Sequence, residues 1–159
     1  MRIATFFALF AVMLAGTAFA GDSGNGCKLQ GTWYGDVPDF SRWIANYHGA
    51  GANEGTSDLE FINPILPPGT SLSSARGVWA KSGPNTFDFT LIYFLSDAGG
   101  NIILAIRDSG VKTLTDCNTM EITNCSNYVD PETLEPYPGP CIPSTATARR
   151  VLLQKPSEP

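Results

Sequence analysis

The clearest pattern along the chain is the run NTFDFTLIYFL at 85–95. Phe87, Phe89, Leu91, Tyr93 and Leu95 fall on one side of it, with Asp88, Thr90, Ile92 and Phe94 on the other. A period of two, rich in aromatic and β-branched residues, specifies a β-strand. The strand starts half exposed and ends apolar on both faces. SDAGGN then supplies an Asp and two glycines, which tolerate the positive φ angles of a tight hairpin, so NIILAIRD is predicted to return as the partner strand. A second turn is expected at Asp108-Ser109-Gly110, leading into VKTLTD and completing a three-strand meander.

Upstream, DLEFI and RGVWAK read as two more strands separated by the breaker-rich NPILPPGTSLSS. Downstream, TMEIT and TATARRVLLQK flank a proline-rich loop, SNYVDPETLEPYPGP. With a first strand around Trp33, about eight strands result, at the spacing of an all-β sandwich or barrel. The one helical pattern is PDFSRWIANY. There Asp39 is placed to cap a short helix, and Phe40, Trp43, Ile44 and Tyr47 form a one-sided apolar stripe. The expected architecture is a single antiparallel β-barrel with one short helix near its N-terminus covering an end of the β-structure.

The first twenty residues do not belong to this pattern. Arg2, a mostly apolar run over 3–16 and the small-x-small site Ala18-Phe19-Ala20 before Gly21 are the parts of a secretory signal peptide. The division expected is a leader over 1–20 and a barrel domain over 21–159. No later stretch approaches the ~20 apolar residues of a membrane-spanning helix. The formal charge of the full chain is −5. Removing the leader takes away one cation, Arg2, and no acid, which leaves −6. An acidic surface repels phosphate backbones and anionic headgroups, so nucleic acid and membrane surfaces are poor partners.

All four cysteines, Cys27, Cys117, Cys125 and Cys141, lie in the exported part, where an oxidising compartment favours disulfides. Four cysteines allow three pairings, and sequence alone does not choose among them. The preferred one is Cys125–Cys141, which would close the base of the proline-rich loop and contribute about 3 kcal/mol. Cys27 and Cys117 then pair by elimination.

Catalytic and metal chemistry find little support. There is no Cys-x-x-Cys, and the single histidine, His48, is far from the cysteines in sequence, so neither zinc nor another cofactor is expected. His48 sits in a glycine-rich stretch with nothing in the sequence to orient it for a hydrolytic triad. Asp130, Glu132 and Glu135 do not follow EF-hand spacing. Asn124-Cys125-Ser126 fits the glycosylation acceptor pattern, but a bridged Cys125 argues against its use.

Three short motifs carry a resemblance. Gly31-Thr32-Trp33 near the start, Thr115-Asp116-Cys117 in the second half, with a cysteine where the family has tyrosine, and Arg149 or Arg150 near the end resemble the landmarks of the lipocalins and their calycin relatives. The run GVWAKSGPNTFDFTLIYFLSDAGGN is similar to small exported bacterial barrels of that loose kind. Allene oxide cyclase and dirigent proteins share only the architecture. The resemblance implies that the first tryptophan lies under an arginine from the last strand, across a closing strand pair.

In a closed barrel of about eight strands the interior is either filled by side chains or left to hold one small ligand. With the odd face of 87–95 turned inward, Phe87, Phe89, Leu91 and Tyr93 line the lumen together with Trp33 and Trp79, and Arg107 or Tyr93 is placed as a polar anchor at one end. The reading favoured by the sequence is a non-enzymatic exported barrel that binds a small apolar or aromatic ligand. A filled barrel acting as a structural or interaction module is the second reading, and a barrel isomerase or cyclase the third.

Overall fold

One continuous up-and-down meander of antiparallel strands builds the wall of the molecule. The computed structural model describes residues 26–154, so the expected leader and the KPSEP tail lie outside the described residues. The strands are β1 (Gly31–Val37), β2 (Ser41–His48), β3 (Glu54–Ile62), β4 (Ser71–Leu72), β5 (Ala75–Lys81), β6 (Thr86–Ser96), β7 (Ile102–Asp116), β8 (Thr119–Val129) and β9 (Ile142–Arg150). They form one antiparallel sheet in the order β4-β6-β5-β3-β2-β1-β9-β8-β7, and β6 also pairs with β7. That last pairing closes eight strands into a barrel, which removes the unpaired edges an open sheet would expose. The two-residue β4 pairs with the far end of β6, along the line of β5, after an interruption at Ser73 and Ser74. Ser73 bridges the break: its amide donates to the Phe94 carbonyl and its hydroxyl accepts from the Phe94 amide, both at 2.9 Å.

Two sequence expectations are corrected. The segment expected to form a helix is a turn followed by β2. Within it Ser41, Trp43, Ala45 and Tyr47 are buried and alternate with Arg42, Ile44, Asn46 and His48. Trp43 and Tyr47 are four apart, a spacing that fits one helical face and one strand face equally well. The small inward residues Ser41 and Ala45 carry the period of two but add little hydrophobic signal. Asp39, at φ 60°, serves a tight turn rather than a helix cap. The turn expected at Asp108-Ser109-Gly110 is likewise absent, and β7 runs unbroken for 15 residues. Gly110 is there for packing: a Cβ at this position would stand 2.1 Å from the Thr123 carbonyl oxygen and 2.6 Å from the Asn124 Cα on β8.

The two ends of the barrel differ. At one end Leu29, Trp33, Trp79, Phe87, Leu114 and Met120 fill the interior and are almost wholly buried. β1 meets β9 there, with Trp33 opposite Arg150. The Arg150 guanidinium lies 4.4 Å above the Trp33 ring, and it donates to the carbonyls of Cys117 (2.8 Å), Gln30 and Lys28. Below it the Trp33 indole donates to the Leu29 carbonyl at 2.8 Å. Arg150, not Arg149, is therefore the stacked arginine, and Arg149 is exposed on the outer face. The Cys27–Cys117 disulfide fastens the same end, while Cys125–Cys141 closes the base of the proline loop. Both pairs are those expected.

Candidate functional site: the barrel lumen

The opposite half of the lumen is open. A cavity of about 400 Å³ is bounded by β1, β2, β3, β6, β7, β8 and β9. Along β6, inward positions alternate with outward ones, so Phe89, Leu91 and Tyr93 form one wall. β2 and β3 contribute Trp43, Tyr47, Leu59 and Phe61 opposite, and β8 and β9 contribute small or polar side chains, among them Asn124, Ser126, Ser144 and Ala146. Trp43 reaches the lumen because Gly35 stands across from it on β1: a Cβ on Gly35 would lie 2.1 Å from the indole ring. Phe40, Phe61 and Tyr93 form an aromatic collar, with ring centroids 6.0 Å and 5.0 Å apart. The cavity reaches solvent at this end, where its lining includes Tyr128 and Ile142, each about half exposed.

Among the described lining residues one acid and one cation occur, both on β7. Asp108 lies midway down the wall, opposite Leu91 and Ser126, and accepts from the Tyr93 hydroxyl through Oδ2 at 3.3 Å. Its other oxygen, Oδ1, is buried with no hydrogen-bond partner. Burial pushes the Asp108 carboxyl above the usual carboxylate range, against the opposing influence of the Ser126 and Tyr93 hydroxyls and of Lys112. Lys112 stands four residues deeper, 1% exposed, its Nζ over the Phe89 ring and 5.5 Å from the Tyr47 centroid. No hydrogen-bond acceptor reaches that Nζ. Burial in these apolar surroundings holds its pKa well below the ordinary lysine value, and the Asp108 charge only partly compensates. Desolvation also raises the phenol pKa values of Tyr47 and Tyr93, so both rings are protonated hydroxyls at neutral pH.

The residues expected to bind ligand divide into three groups. Phe89, Leu91 and Tyr93 line the cavity. Trp33, Trp79 and Phe87 belong to the packed end: Trp79 meets Phe87 edge-on at 5.7 Å and donates to the carbonyls of Thr56 (3.1 Å) and His48 (3.2 Å). Arg107 is not in the lumen, because Ile106 and Asp108 on either side of it face inward and the alternation turns residue 107 outward. Sequence reasoning missed Asp108 and Lys112. The available signal was the alternation Ile106-Asp108-Gly110-Lys112-Leu114, which the supposed turn at 108–110 broke in two.

The other sequence candidates find structural roles, all but Asn124 outside the cavity. His48 does have an acid beside it, Asp58, at 3.3 Å, but Asp58 is also hydrogen-bonded by Arg76 and the trio lies on the outer wall of β2, β3 and β5. Arg76 is the larger influence holding the Asp58 carboxyl below its usual range, ahead of His48. Asp130 turns the proline loop by accepting from the amides of Glu132 and Thr133 at 2.9 and 2.8 Å. Asn124 faces the cavity and accepts from the Ser144 hydroxyl through its amide oxygen at 2.7 Å. The described residues hold no group of three or more His, Cys, Asp or Glu side chains arranged for a metal ion, and no helix long and apolar enough to cross a membrane.

No protein-family model and no curated protein sequence matches the chain. Its fold is similar to a solved structure described as EF1p2_mFAP2b bound to DFHBI, with a TM-score of 0.52 over 77% of this chain and 94% of that one. At 16% identity the likeness is one of fold alone.

Proposed function

We propose that this protein is an exported carrier that binds one small, largely aromatic or apolar ligand in the open half of its barrel and releases it unchanged. The observation that carries the reading is the cavity itself. A volume of about 400 Å³ lies within the range of small-molecule sites, and its walls are chiefly apolar and aromatic with a few polar groups, as such sites are. A protein of similar fold, EF1p2_mFAP2b, is bound to DFHBI in its solved structure, which supports the same use of this architecture. The leader and the two disulfides fit an oxidising compartment outside the cytoplasm. One observation favours a second reading, a barrel isomerase: the inward carboxylate of Asp108 hydrogen-bonded to Tyr93 would serve general acid–base chemistry.

Titration with N-phenyl-1-naphthylamine, a neutral apolar fluorophore, tests the carrier reading. One site with micromolar affinity is expected. Phe89→Leu should alter that affinity while costing less than about 1 kcal/mol of stability, because Phe89 faces open space on one side. Absence of binding, together with a larger stability loss in Phe89→Leu, would mean a packed lumen and return the protein to the structural-module reading.

A further inference from the structure

Two buried polar atoms in the cavity wall make no hydrogen bond within the protein, Lys112 Nζ at the floor, which lies over the faces of Phe89 and Tyr47, and Asp108 Oδ1 above it, where the Ser126 hydroxyl is the nearby polar group. Native proteins seldom leave such atoms unpaired, since each forfeits its hydration without a replacement bond. Both side chains project from the same face of β7, four residues and so roughly 13 Å of strand apart, and the lining between them is chiefly apolar, Phe89 and Leu91 on β6 and Ile122 on β8, with Asn124 opposite Gly110 as its one polar residue. A bound molecule that satisfied both atoms would carry a hydrogen-bond acceptor at its inner end and a donor partway along, with a flat apolar body between. Among acceptors, a carboxylate suits Lys112 best. It bonds an amine strongly, and it brings a proton with it when it enters as the acid, so that amine and acid become an ion pair inside the lumen.

We infer that the ligand is an aromatic carboxylic acid bearing a hydroxyl, which inserts acid-first so that its carboxylate meets Lys112 and its hydroxyl donates to Asp108. This rests on the lumen-binding reading above and adds the chemistry and direction of binding. Lys112 is the acid anchor at the floor. Asp108, held by Tyr93, reads the hydroxyl, and the collar of Phe40 and Phe61 encloses the trailing end.

The experiment compares three probes on the full-length exported protein, each displacing N-phenyl-1-naphthylamine: 6-hydroxy-2-naphthoic acid, its methyl ester, and 2-naphthoic acid. The hydroxy acid is expected to bind at least about tenfold tighter than its ester. That ratio should fall to about one in Lys112→Met and in Lys112→Gln, two variants that differ in how they repack, so a folding fault in one leaves the other to be read. The advantage of the hydroxy acid over 2-naphthoic acid should be lost in Asp108→Ala. Near-ultraviolet circular dichroism confirms the fold of each variant. If N-phenyl-1-naphthylamine binds but acid and ester bind alike, water satisfies Lys112 and the inference is overturned while the lumen reading stands. If no probe binds, both fall together.

Discussion

Replacing Lys112 by methionine should stabilise the protein, although it removes the most deeply placed polar group of the cavity. In the unfolded chain the ammonium is hydrated. In the barrel it is 1% exposed, with no acceptor for its protons, and burial depresses its pKa well below 10.5. A base whose folded pKa is depressed binds fewer protons folded than unfolded, so it opposes folding at pH values below 10.5. Its contribution improves as pH rises through the window between the folded value and 10.5. The further burial depresses the amine, the more of that window is open at pH 7. Methionine has a similarly unbranched, adaptable chain and no bonds to satisfy. The expected gain is on the order of 1–3 kcal/mol at pH 7, the cost of a buried donor with no acceptor. Urea denaturation of wild type and Lys112→Met between pH 6 and 9.5, with disulfides intact, measures it. That range stays below the ordinary tyrosine pKa of 10.0, above which Tyr47 and Tyr93, protonated in the barrel, would begin to lower stability. The variant should lead at pH 7, and its lead should shrink toward pH 9.5. A variant that is less stable at pH 7, or a lead that does not change with pH, would refute the reasoning.

The fastened end makes a sharper contrast between neighbours. Arg150→Ala removes the stacking on Trp33 and the bonds to three carbonyls and should cost ~2–3 kcal/mol, whereas Arg149→Ala on the outer face should stay within about 0.5 kcal/mol; denaturant midpoints decide, and equal effects would contradict the closure geometry. Gly35→Ala drives a methyl group into the Trp43 indole and should cost about 1–3 kcal/mol in the same assay. Exported material should begin at Gly21 and show no free thiol; Edman sequencing and thiol titration check this, and a retained Met1 or reactive thiols would count against it.

The sequence carried the barrel further than it carried the cavity. The sequence pattern reaches eight strands because two departures cancel: it marks β2 as a helix and divides the long β7 at a turn. Both errors arise where small residues, Ser41 and Ala45 in β2 and Gly110 in β7, occupy inward positions, so the hydrophobic alternation fades although the backbone continues. What makes them inward is contact with strands distant in sequence, such as β8 against Gly110. The same mechanism hid the polar anchors. Arg107 looked like the anchor because it is charged and lies near an apolar strand, yet one step of register separates it from Asp108, and register is set by pairing across the sheet. Phe89, Leu91 and Tyr93 were legible because β6 is long and strongly alternating.

The direction in which the chain enters and leaves the barrel has a practical meaning. β1 begins and β9 finishes at the end fastened by Arg150 and the Cys27–Cys117 bridge, and the chain leaving β9 still bonds across to β1, with the Val151 amide donating to the Thr32 carbonyl at 2.9 Å. The mouth lies at the other pole. An affinity tag, a surface linker or a second protein fused beside Cys27 or after Val151 would thus sit at the base and leave the opening clear. The two strand ends are also neighbours, so a short peptide could join them and new termini be cut in the loop between β2 and β3 at the same base. Immobilised in this way the barrel would stand on a sensor surface like a cup with its rim outward.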